Sequence, residues 1–310
     1  MVTGGAGFIG SNLTEHLLDQ GAFVRILDNY SIGNEQNVID FTTHQNFELI
    51  IGDICDIKTC QQACEGIDFI LHQAALGSVP RSIEDPIATH NNNITGSLNI
   101  LVAARDAGVK RVIYASSSSV YGDEQTLPKV EGIEGSLLSP YAVSKATCEL
   151  YAKNFSLVYG LETIGLRYFN VFGKRQDPDS IYSAVIPIFV KKLLQNEAPI
   201  IHGDGTQSRD FTYIDNVVQA NIAACFAPSS ACASAYNIGC GGRVELNDLY
   251  HSISKLLNLD IKPTYSDPRP GDIKHSHANI SEAIHHLGYT PTIGFDEGLE
   301  LCIDWYKENL

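Results

Sequence analysis

The sequence predicts an α/β protein of the Rossmann type, in which a doubly wound parallel sheet is joined to a smaller, discontinuous α/β lobe. Three observations lead to this fold class. A glycine-rich turn follows the first apolar residues, strand-like runs then alternate with amphipathic segments to about residue 170, and loops interrupt the helical stretches beyond it. Alternation of strands and helices is typical of βαβ units, whose helices cover both faces of a parallel sheet.

The first element is a short strand that ends at the glycine-rich turn. Gly4, Gly7 and Gly10 are spaced three residues apart, and Leu13 lies on the apolar face of the helix that follows. Such glycines allow a sharp turn and bring backbone N–H groups close to a pyrophosphate. Only three residues precede Gly4, where a strand of about five or six is usual, so we expect the natural strand to begin upstream of Met1.

The second strand, predicted at 23–27, ends at Asp28. A carboxylate at this position accepts hydrogen bonds from the adenosine ribose hydroxyls and repels a 2′-phosphate. The glycines and Asp28 together therefore predict a site for NAD rather than NADP.

Four more strands complete the predicted sheet, at 47–51, 68–72, 111–115 and 163–167. We expect residues 1–169 to form the NAD-binding domain, with returning segments at about 210–240. Residues 170–310 are expected to form mainly the substrate-binding lobe.

Composition narrows the functional class. The 310 residues carry a formal net charge of −15, which disfavours nucleic acid and anionic membrane as partners. Eight scattered cysteines include no Cys-x-x-Cys pair, and Cys60 and Cys64 have no His or Cys partner at ligand spacing. We therefore expect reduced thiols, no metal site and a cytoplasmic protein. No run approaches the roughly 18 to 20 apolar residues of a membrane span, and the chain does not begin with a signal-peptide pattern.

Candidate catalytic residues follow the fifth strand. Serines occupy positions 116 to 119, and Tyr141 and Lys145 are four residues apart, so they share one face of a helix. A nearby ammonium group and a cationic nicotinamide ring both favour a phenolate, which can take an alcohol proton as hydride leaves the same carbon. The pattern predicts oxidation of an alcohol. The alternative is that Tyr141 and Lys145 are two exposed residues on the helix surface without a chemical role.

These motifs resemble those of the extended short-chain dehydrogenase/reductases over nearly the whole chain. The segments that resemble the family are 3–10, 52–54, 72–75, 141–145, 167–170, 208–211 and 269–272. The resemblance implies that Ser117, Tyr141 and Lys145 are catalytic and that Ser117 also contacts the substrate. It implies that Tyr141 also lies at the NAD site and that Lys145 also binds the nicotinamide ribose. It implies that Asp53 binds the adenine amine and that Asn93 holds the helix and loop beside the cofactor. The other residues expected at the NAD site are Gly4, Gly7, Phe8, Ile9, Gly10, Asp28, Asn29, Ser31, Gly33, Ile54, Gln73, Ala74, Ala75 and Tyr168.

Within that family, the positions after Ser117 distinguish the reaction types. Dehydratases carry Asp and Glu where this chain has Ser118 and Ser119, and related decarboxylases carry Glu at the position of Ser119. The resemblance therefore implies removal and return of one hydride, which is the chemistry of a UDP-sugar 4-epimerase with a 4-keto intermediate.

The resemblance also implies a UDP-sugar site in the second lobe. Arg209 and Arg269 are suited to clamp a diphosphate. Asn170 resembles a residue that contacts the diphosphate, and Asp272 resembles one that binds the uridine ribose. The residues expected on the uracil side are Ala184, Val185 and His202, although a lone loop histidine is more often structural.

Segments 75–82 and 173–178 resemble epimerases that prefer N-acetylated UDP-sugars. Ser276 stands where epimerases confined to glucose and galactose carry a bulky tyrosine, and a small residue leaves room for an acetamido group. The other residues expected around the sugar are Gly77, Ser78, Ser118 and Ser119. We therefore predict that UDP-N-acetylglucosamine is preferred and that UDP-glucose and UDP-galactose are also accepted.

Two alternatives stay open at this point. UDP-glucuronate 4-epimerases share the stretch 115–122, although their substrate needs a cation for its C6 carboxylate. A non-catalytic, dinucleotide-sensing protein of the same fold is the other, although such proteins usually lose one of the three catalytic residues.

Apolar faces at 87–107 and 141–159 predict a homodimer, because related enzymes pair these helices as a four-helix bundle.

Overall fold

A computed structural model describes residues 1–177, 184–268 and 274–309. The strands in chain order are β1 (Val2–Thr3), β2 (Val24–Asp28), β3 (Phe47–Ile51), β4 (Phe69–His72), β5 (Arg111–Ser117), β6 (Glu162–Tyr168), β7 (Val171–Phe172), β8 (Ile200–His202), β9 (Ser208–Arg209), β10 (Thr212–Tyr213), β11 (Ser234–Ile238), β12 (Val244–Glu245) and β13 (Thr264–Ser266). The α-helices are α1 (Phe8–Asp19), α2 (Ile57–Cys64), α3 (Val79–Glu84), α4 (Pro86–Thr89), α5 (Gly96–Asp106), α6 (Pro140–Tyr159), α7 (Val185–Leu194), α8 (Ile214–Phe226), α9 (Leu246–Leu257), α10 (Ser281–Leu287) and α11 (Phe295–Asn309).

Seven strands form one parallel sheet in the order β11-β6-β5-β4-β1-β2-β3. The predicted fold class is confirmed. The order reverses beside β1, so the turn after β1 lies where open α/β sheets bind their ligands.

Helices cover both faces of the sheet, and each face has its own apolar core. One core contains Leu13 of α1 and Val217 of α8 and continues into the second lobe through Phe189 of α7 and Leu249 of α9. The other core lies against α2, α5 and α6. The returning segment predicted at about 210–240 contains α8 and β11, which pack on the sheet and extend it.

Two elements differ from the sequence-based expectation. Strand β5 continues two residues past the predicted end at 115, so Ser116 and Ser117 are still paired with β6. The helix predicted at 87–107 is divided into α4, a π-helical stretch at His90–Thr95, and α5. Short π-helical stretches are frequent at functional sites, and this one contains the buried Asn93.

The second lobe contains α7, α9, α11 and short strand pairs, whereas α10 packs against β11 and α8. The pairs are β7 with β10, β8 with β13, and β9 with β12. Over the described ranges, no helix is both long and apolar enough to cross a membrane.

Candidate active site

The glycine-rich turn forms one end of a groove along the carboxyl edge of the sheet. Gly4 has a φ of +67°, a conformation that L side chains rarely adopt. A Cβ atom at Gly10 would collide with the carbonyl oxygen of Gly4, so the helix can start this close to the strand only with glycine. No side chain caps α1 at Gly7, which leaves the first N–H groups of the helix available to a phosphate.

The groove has a volume of about 300 Å³. The predicted NAD residues that line it are Gly4, Gly7, Phe8, Ile9, Gly10, Asp28, Asn29, Ser31, Gly33, Ile54, Gln73, Ala74 and Ala75. The open glycine turn and the acceptor side chains beside it fit a dinucleotide.

Asp28 is buried at the end of β2 and fixes the shape of the turn. Its Oδ2 accepts a hydrogen bond from the N–H of Ala6 at 2.9 Å, and its Oδ1 accepts one from Tyr30 at 2.8 Å. Each carboxylate oxygen has a further lone pair. Asp28 is therefore able to hold the turn and, at the same time, accept a hydrogen bond from a hydroxyl group of a ligand.

Asp53 lies between two residues of the groove wall, Gly52 and Ile54. Partial burial raises the pKa of its carboxyl, but hydrogen bonds from Cys55 and from the side chain of Asn29 outweigh burial and lower that pKa below its usual range. Asp53 is thus held as an anionic acceptor beside the groove.

Asn93 holds a loop beside the groove in place by hydrogen bonds. Its amide donates to the carbonyl of Leu76 at 3.2 Å and to Ser144 Oγ at 3.0 Å, and its Oδ1 accepts from the N–H of Leu76 at 2.7 Å. Both ends of the side chain therefore hold the loop that leads to Gly77.

A central cavity of about 630 Å³ continues the groove and shares Phe8, Ile9, Gln73, Ala75 and Gly77 with it. The other predicted residues that line this cavity are Ser117, Ser118, Ser119, Tyr141, Lys145, Tyr168, Asn170, Arg209 and Ser276. The folded chain thus brings the candidate catalytic residues together with part of each binding site.

The tyrosine and the lysine lie one turn apart near the start of α6. Ser139 caps the helix by accepting a hydrogen bond from Ala142 N, and Pro140 occupies the first turn. Lys145 is buried, donates from Nζ to the carbonyl of Ala115 at 2.8 Å, and lies 5.9 Å from the centroid of the Tyr141 ring. An ammonium group in this place stabilises negative charge that develops during proton transfer.

The serine run ends β5 and begins a 3-10 turn. Ser117 Oγ accepts from the N–H of Ser119 at 3.1 Å and caps this turn. Ser119 Oγ is buried and has no hydrogen-bond partner among the residues that the structure describes. Because buried hydroxyls are nearly always paired, this unsatisfied hydroxyl is an exception in the wall of the central cavity, which Ser119 helps to line.

A third cavity of about 220 Å³ adjoins the central one in the second lobe. Ala184, Val185 and His202 line it, and Asn170 and Arg209 line both cavities. Arg209 Nη1 donates to the carbonyls of Ser208 and Lys274 at 3.0 and 3.2 Å, so its guanidinium group lies at the junction of the two cavities.

Four further predicted residues complete the survey of the site. A Cβ atom added at Gly77 would meet only open space. Ser78 lines the NAD groove rather than the central cavity, and its Oγ caps α3 by accepting from Arg81 N. Arg269 and Asp272 lie outside the described residues.

A buried histidine for which no role was predicted, His72, lies at the end of β4. His72 Nδ1 bonds to Thr3 Oγ1 at 2.7 Å, and its Nε2 bonds to Ser97 Oγ at 2.9 Å. Burial, helped by the nearby charge of Lys145, lowers the pKa of His72 to about 3. A neutral imidazole therefore ties β1 and β4 to α5, and its position at the end of a buried strand was the available signal.

Several cavity residues were also missed, although Arg81, Gln176 and Phe211 fall within the segments 75–82, 173–178 and 208–211 that resemble the family. They are Arg81 and Asn92 in the groove, Gln176 in the central cavity, and Gln207, Phe211 and Leu246 in the third cavity. Across residues 1–177, 184–268 and 274–309, no cluster of three His, Cys, Asp or Glu side chains is placed to hold a metal ion.

The geometry agrees with what comparison to known proteins finds. A solved UDP-N-acetylglucosamine 4-epimerase from Methanobrevibacter ruminantium M1, in complex with UDP-N-acetylmuramic acid, has a TM-score of 0.95 and 41% identity over 100% of this chain and 98% of its own. A UDP-glucose 4-epimerase of Mycolicibacterium smegmatis is 33% identical over 99% of this chain and 98% of its own length. A UDP-glucuronate 4-epimerase of Thermodesulfobacterium geofontis is 34% identical over 100% of this chain and 96% of its own. The family model for the NAD dependent epimerase/dehydratase family matches residues 1–239, and the chain belongs to this family.

Proposed function

We propose that this protein is an NAD-dependent UDP-sugar 4-epimerase that prefers UDP-N-acetylglucosamine and forms UDP-N-acetylgalactosamine. One observation carries the proposal: three cavities join into one cleft, Tyr141 lies in the central cavity, and Arg209 lies where the central and third cavities meet. A dinucleotide fits the groove, a hexose fits the central cavity, and a nucleoside fits the third cavity, with the diphosphate beside Arg209.

NAD, when bound, accepts a hydride from C4 of the sugar and returns it. The chain supplies the proton transfer: Tyr141 takes the proton of the 4-hydroxyl, aided by Ser117, and Lys145 stabilises the negative charge that develops. Arg209 holds the diphosphate while the 4-keto sugar turns to present its other face. Tyr141 then gives the proton back.

The preference for an acetamido sugar is supported by the lining of the central cavity. Ser276 and Gly77 place little bulk there, and Ser118 and Ser119 add hydroxyl-bearing residues to the lining. The same cavity has room for UDP-glucose and UDP-galactose, which we expect to be slower substrates because they leave this volume unfilled.

UDP-glucuronate is the alternative substrate, favoured by the 34% identity to a UDP-glucuronate 4-epimerase. Its C6 carboxylate needs a cation near the hexose. Among the described residues of the central cavity, the cationic side chains are Lys145 and Arg209, and the proposed mechanism already uses both. The lining therefore supports the acetamido sugar better.

We also propose that the protein is a cytoplasmic homodimer. All eight cysteines are free thiols, which is typical of a reducing compartment. Helix α6 exposes Val143, Leu150 and Leu157 at seven-residue intervals, so they lie on one face of the helix. In the dimer, α6 of a second copy of the chain would pack against α6 and cover this face.

The test is to incubate the purified protein separately with UDP-N-acetylglucosamine, UDP-glucose and UDP-glucuronate, without added cofactor, and to measure the C4 epimers by chromatography. We expect UDP-N-acetylgalactosamine to form fastest. Faster conversion of UDP-glucuronate would favour the alternative substrate. No conversion of any substrate, even with NAD added, would refute the epimerase function and favour a non-catalytic dinucleotide-binding protein.

A further inference from the structure

Two adjacent residue pairs end β5 and β6, and they face opposite sides of the sheet. Ser117 is in register with Tyr168, and both line the central cavity. Ser116 is in register with Arg167, and because strand side chains alternate between the two faces, this pair is directed towards α6, where Ser116 Oγ reaches Glu149. Ser116 also contributes to the wall of the central cavity. Any shift of the second pair therefore moves the candidate catalytic serine.

The Ser116 and Arg167 side chains meet a single carboxylate on α6. Arg167 donates to Glu149 from Nε at 2.9 Å and from Nη2 at 2.8 Å, and Ser116 Oγ donates to the same carboxylate at 2.5 Å. Glu149 lies one turn after Lys145 and two turns after Tyr141. One carboxylate thus joins the strand ends that carry Ser117 to the helix that carries Tyr141.

Arg167 also reaches the segment that leads into α6. Its Nη1 donates to Glu134 at 2.6 Å, and its guanidinium carbon lies 5.1 Å from the centroid of the Tyr121 ring. Although burial opposes it, pairing with Glu149 and Glu134 raises the pKa of Arg167 above its usual range. Its five N–H donors form a rigid fork that suits two carboxylates at once.

We propose that Arg167 and Glu149 are positioning residues that hold Ser117 and Tyr141 in the mutual geometry that proton transfer requires. Neither side chain is among the described residues that line the three cavities, so both act through their neighbours. The proposal rests on the epimerase function proposed above. It adds a network of ion pairs behind the cleft wall to the groups on which the reaction depends.

The chain contains a matched control for a purely structural role. Arg111 and Glu162 begin the same two strands and are in register, at the edge of the sheet opposite the cleft. Arg111 is buried like Arg167, bonds to Glu162 from Nε at 2.9 Å, and donates to three carbonyls at the end of α8. Loss of this pair removes comparable interactions without touching the strand ends at the cleft.

The experiment compares R167K and S116A with R111K. In R167K the charge stays but the fork is lost, and a misplacement of about 1 Å costs on the order of 100-fold in rate. We expect kcat of R167K to fall by about 10- to 100-fold, and kcat of S116A, which loses one hydrogen bond, to fall by about 3- to 10-fold. KM should stay within about twofold in both variants, because the residues of the third cavity are untouched. R111K should keep kcat within about twofold of the wild type at a similar or larger loss of thermal stability.

A second pair of variants covers the case in which R167K folds poorly. Replacing both members of a buried ion pair by apolar residues often leaves stability unchanged. E149M/R167M should therefore lose little thermal stability, because the Glu134 carboxylate that is left without Arg167 is partly exposed to solvent, and it should still lose kcat. R111M/E162M should keep kcat. Equal loss of kcat in the two double variants, or full kcat in both R167K and S116A, would overturn the proposal. Failure of the wild type to convert any UDP-sugar would instead refute the proposed function.

Discussion

Ser276 lines the central cavity, and its small side chain leaves room where we place C2 of the sugar. We expect S276Y to lower the rate on UDP-N-acetylglucosamine by about 100-fold, because a phenol ring fills the space for the acetamido group, and to change the rate on UDP-glucose by less than about threefold. Parallel kcat/KM measurements on both sugars check this. The control is S281Y at an exposed serine of α10, and an equal loss on both sugars would contradict the role of Ser276.

Tyr141 is the proposed acid and base. We expect Y141F to lower kcat by about 100- to 10,000-fold, because the ring stays in place while the group that moves the proton is lost. The protein should retain as much NAD as the wild type, measured after denaturation and extraction. Y151F, on an exposed face of the same helix, should keep full activity, whereas a kcat of Y141F within about threefold of the wild type would contradict the role of Tyr141 as acid and base.

At the scale of secondary structure elements, Glu15 connects α1 of the NAD groove to the segment after β7. It forms ion pairs with Lys174 and Arg175. Although burial raises the pKa of Glu15, its hydrogen bonds with Arg175 and Lys174 outweigh burial and lower that pKa below 4.5. A carboxyl whose pKa is lower in the folded state stabilises the fold above its unfolded pKa, and this stabilisation is lost as the pH falls through the folded pKa.

We therefore expect E15Q to lower the free energy of unfolding by about 1 kcal/mol at pH 7, a value kept small because the pair is partly exposed. The difference should shrink as the pH falls below the unfolded pKa of about 4.3 and disappear once the pH lies below the lower folded-state pKa of Glu15. Urea denaturation at several pH values measures it, with E197Q in an exposed ion pair as the control. A difference that does not depend on pH would contradict this account of the contact.

The strands were predictable because alternating apolar and β-branched runs mark them, and five predicted strands agree with the structure to within two residues. The extension of β5 to Ser117 was not predictable, because polar serines give no strand signal and their pairing with β6 is a long-range contact. The π-helical stretch around Asn93 was missed for the same reason, since the amide of Asn93 bonds to a loop distant in sequence.

Motifs predicted most of the residues that the structure gathers along the three cavities, because glycine turns and the tyrosine–lysine spacing are local features. The network of Arg167 and Glu149 could not be predicted in this way. Its members come from β6 and α6, and the sequence does not reveal which charged residues fold against each other in the interior.

At the scale of the whole molecule, the proposed dimer depends on the exposed face of α6. Leu150 is 70% exposed there, and a charge at its position would be buried without a partner between two copies. We expect L150E to be monomeric and the wild type dimeric by light scattering coupled to gel filtration. L301E, at an exposed position of α11, should remain dimeric, and a monomeric wild type would contradict the dimer.

In the proposed reaction, one hydride leaves C4 of a UDP-sugar and returns to the same carbon from the other face, within one bound cofactor. A single isotope experiment tests this: the purified protein receives UDP-N-acetylglucosamine that carries deuterium at C4, with no added NAD, and NMR determines the deuterium in the product. We expect UDP-N-acetylgalactosamine that keeps its deuterium at C4. Product with hydrogen from solvent at C4, or no product at all, would contradict it.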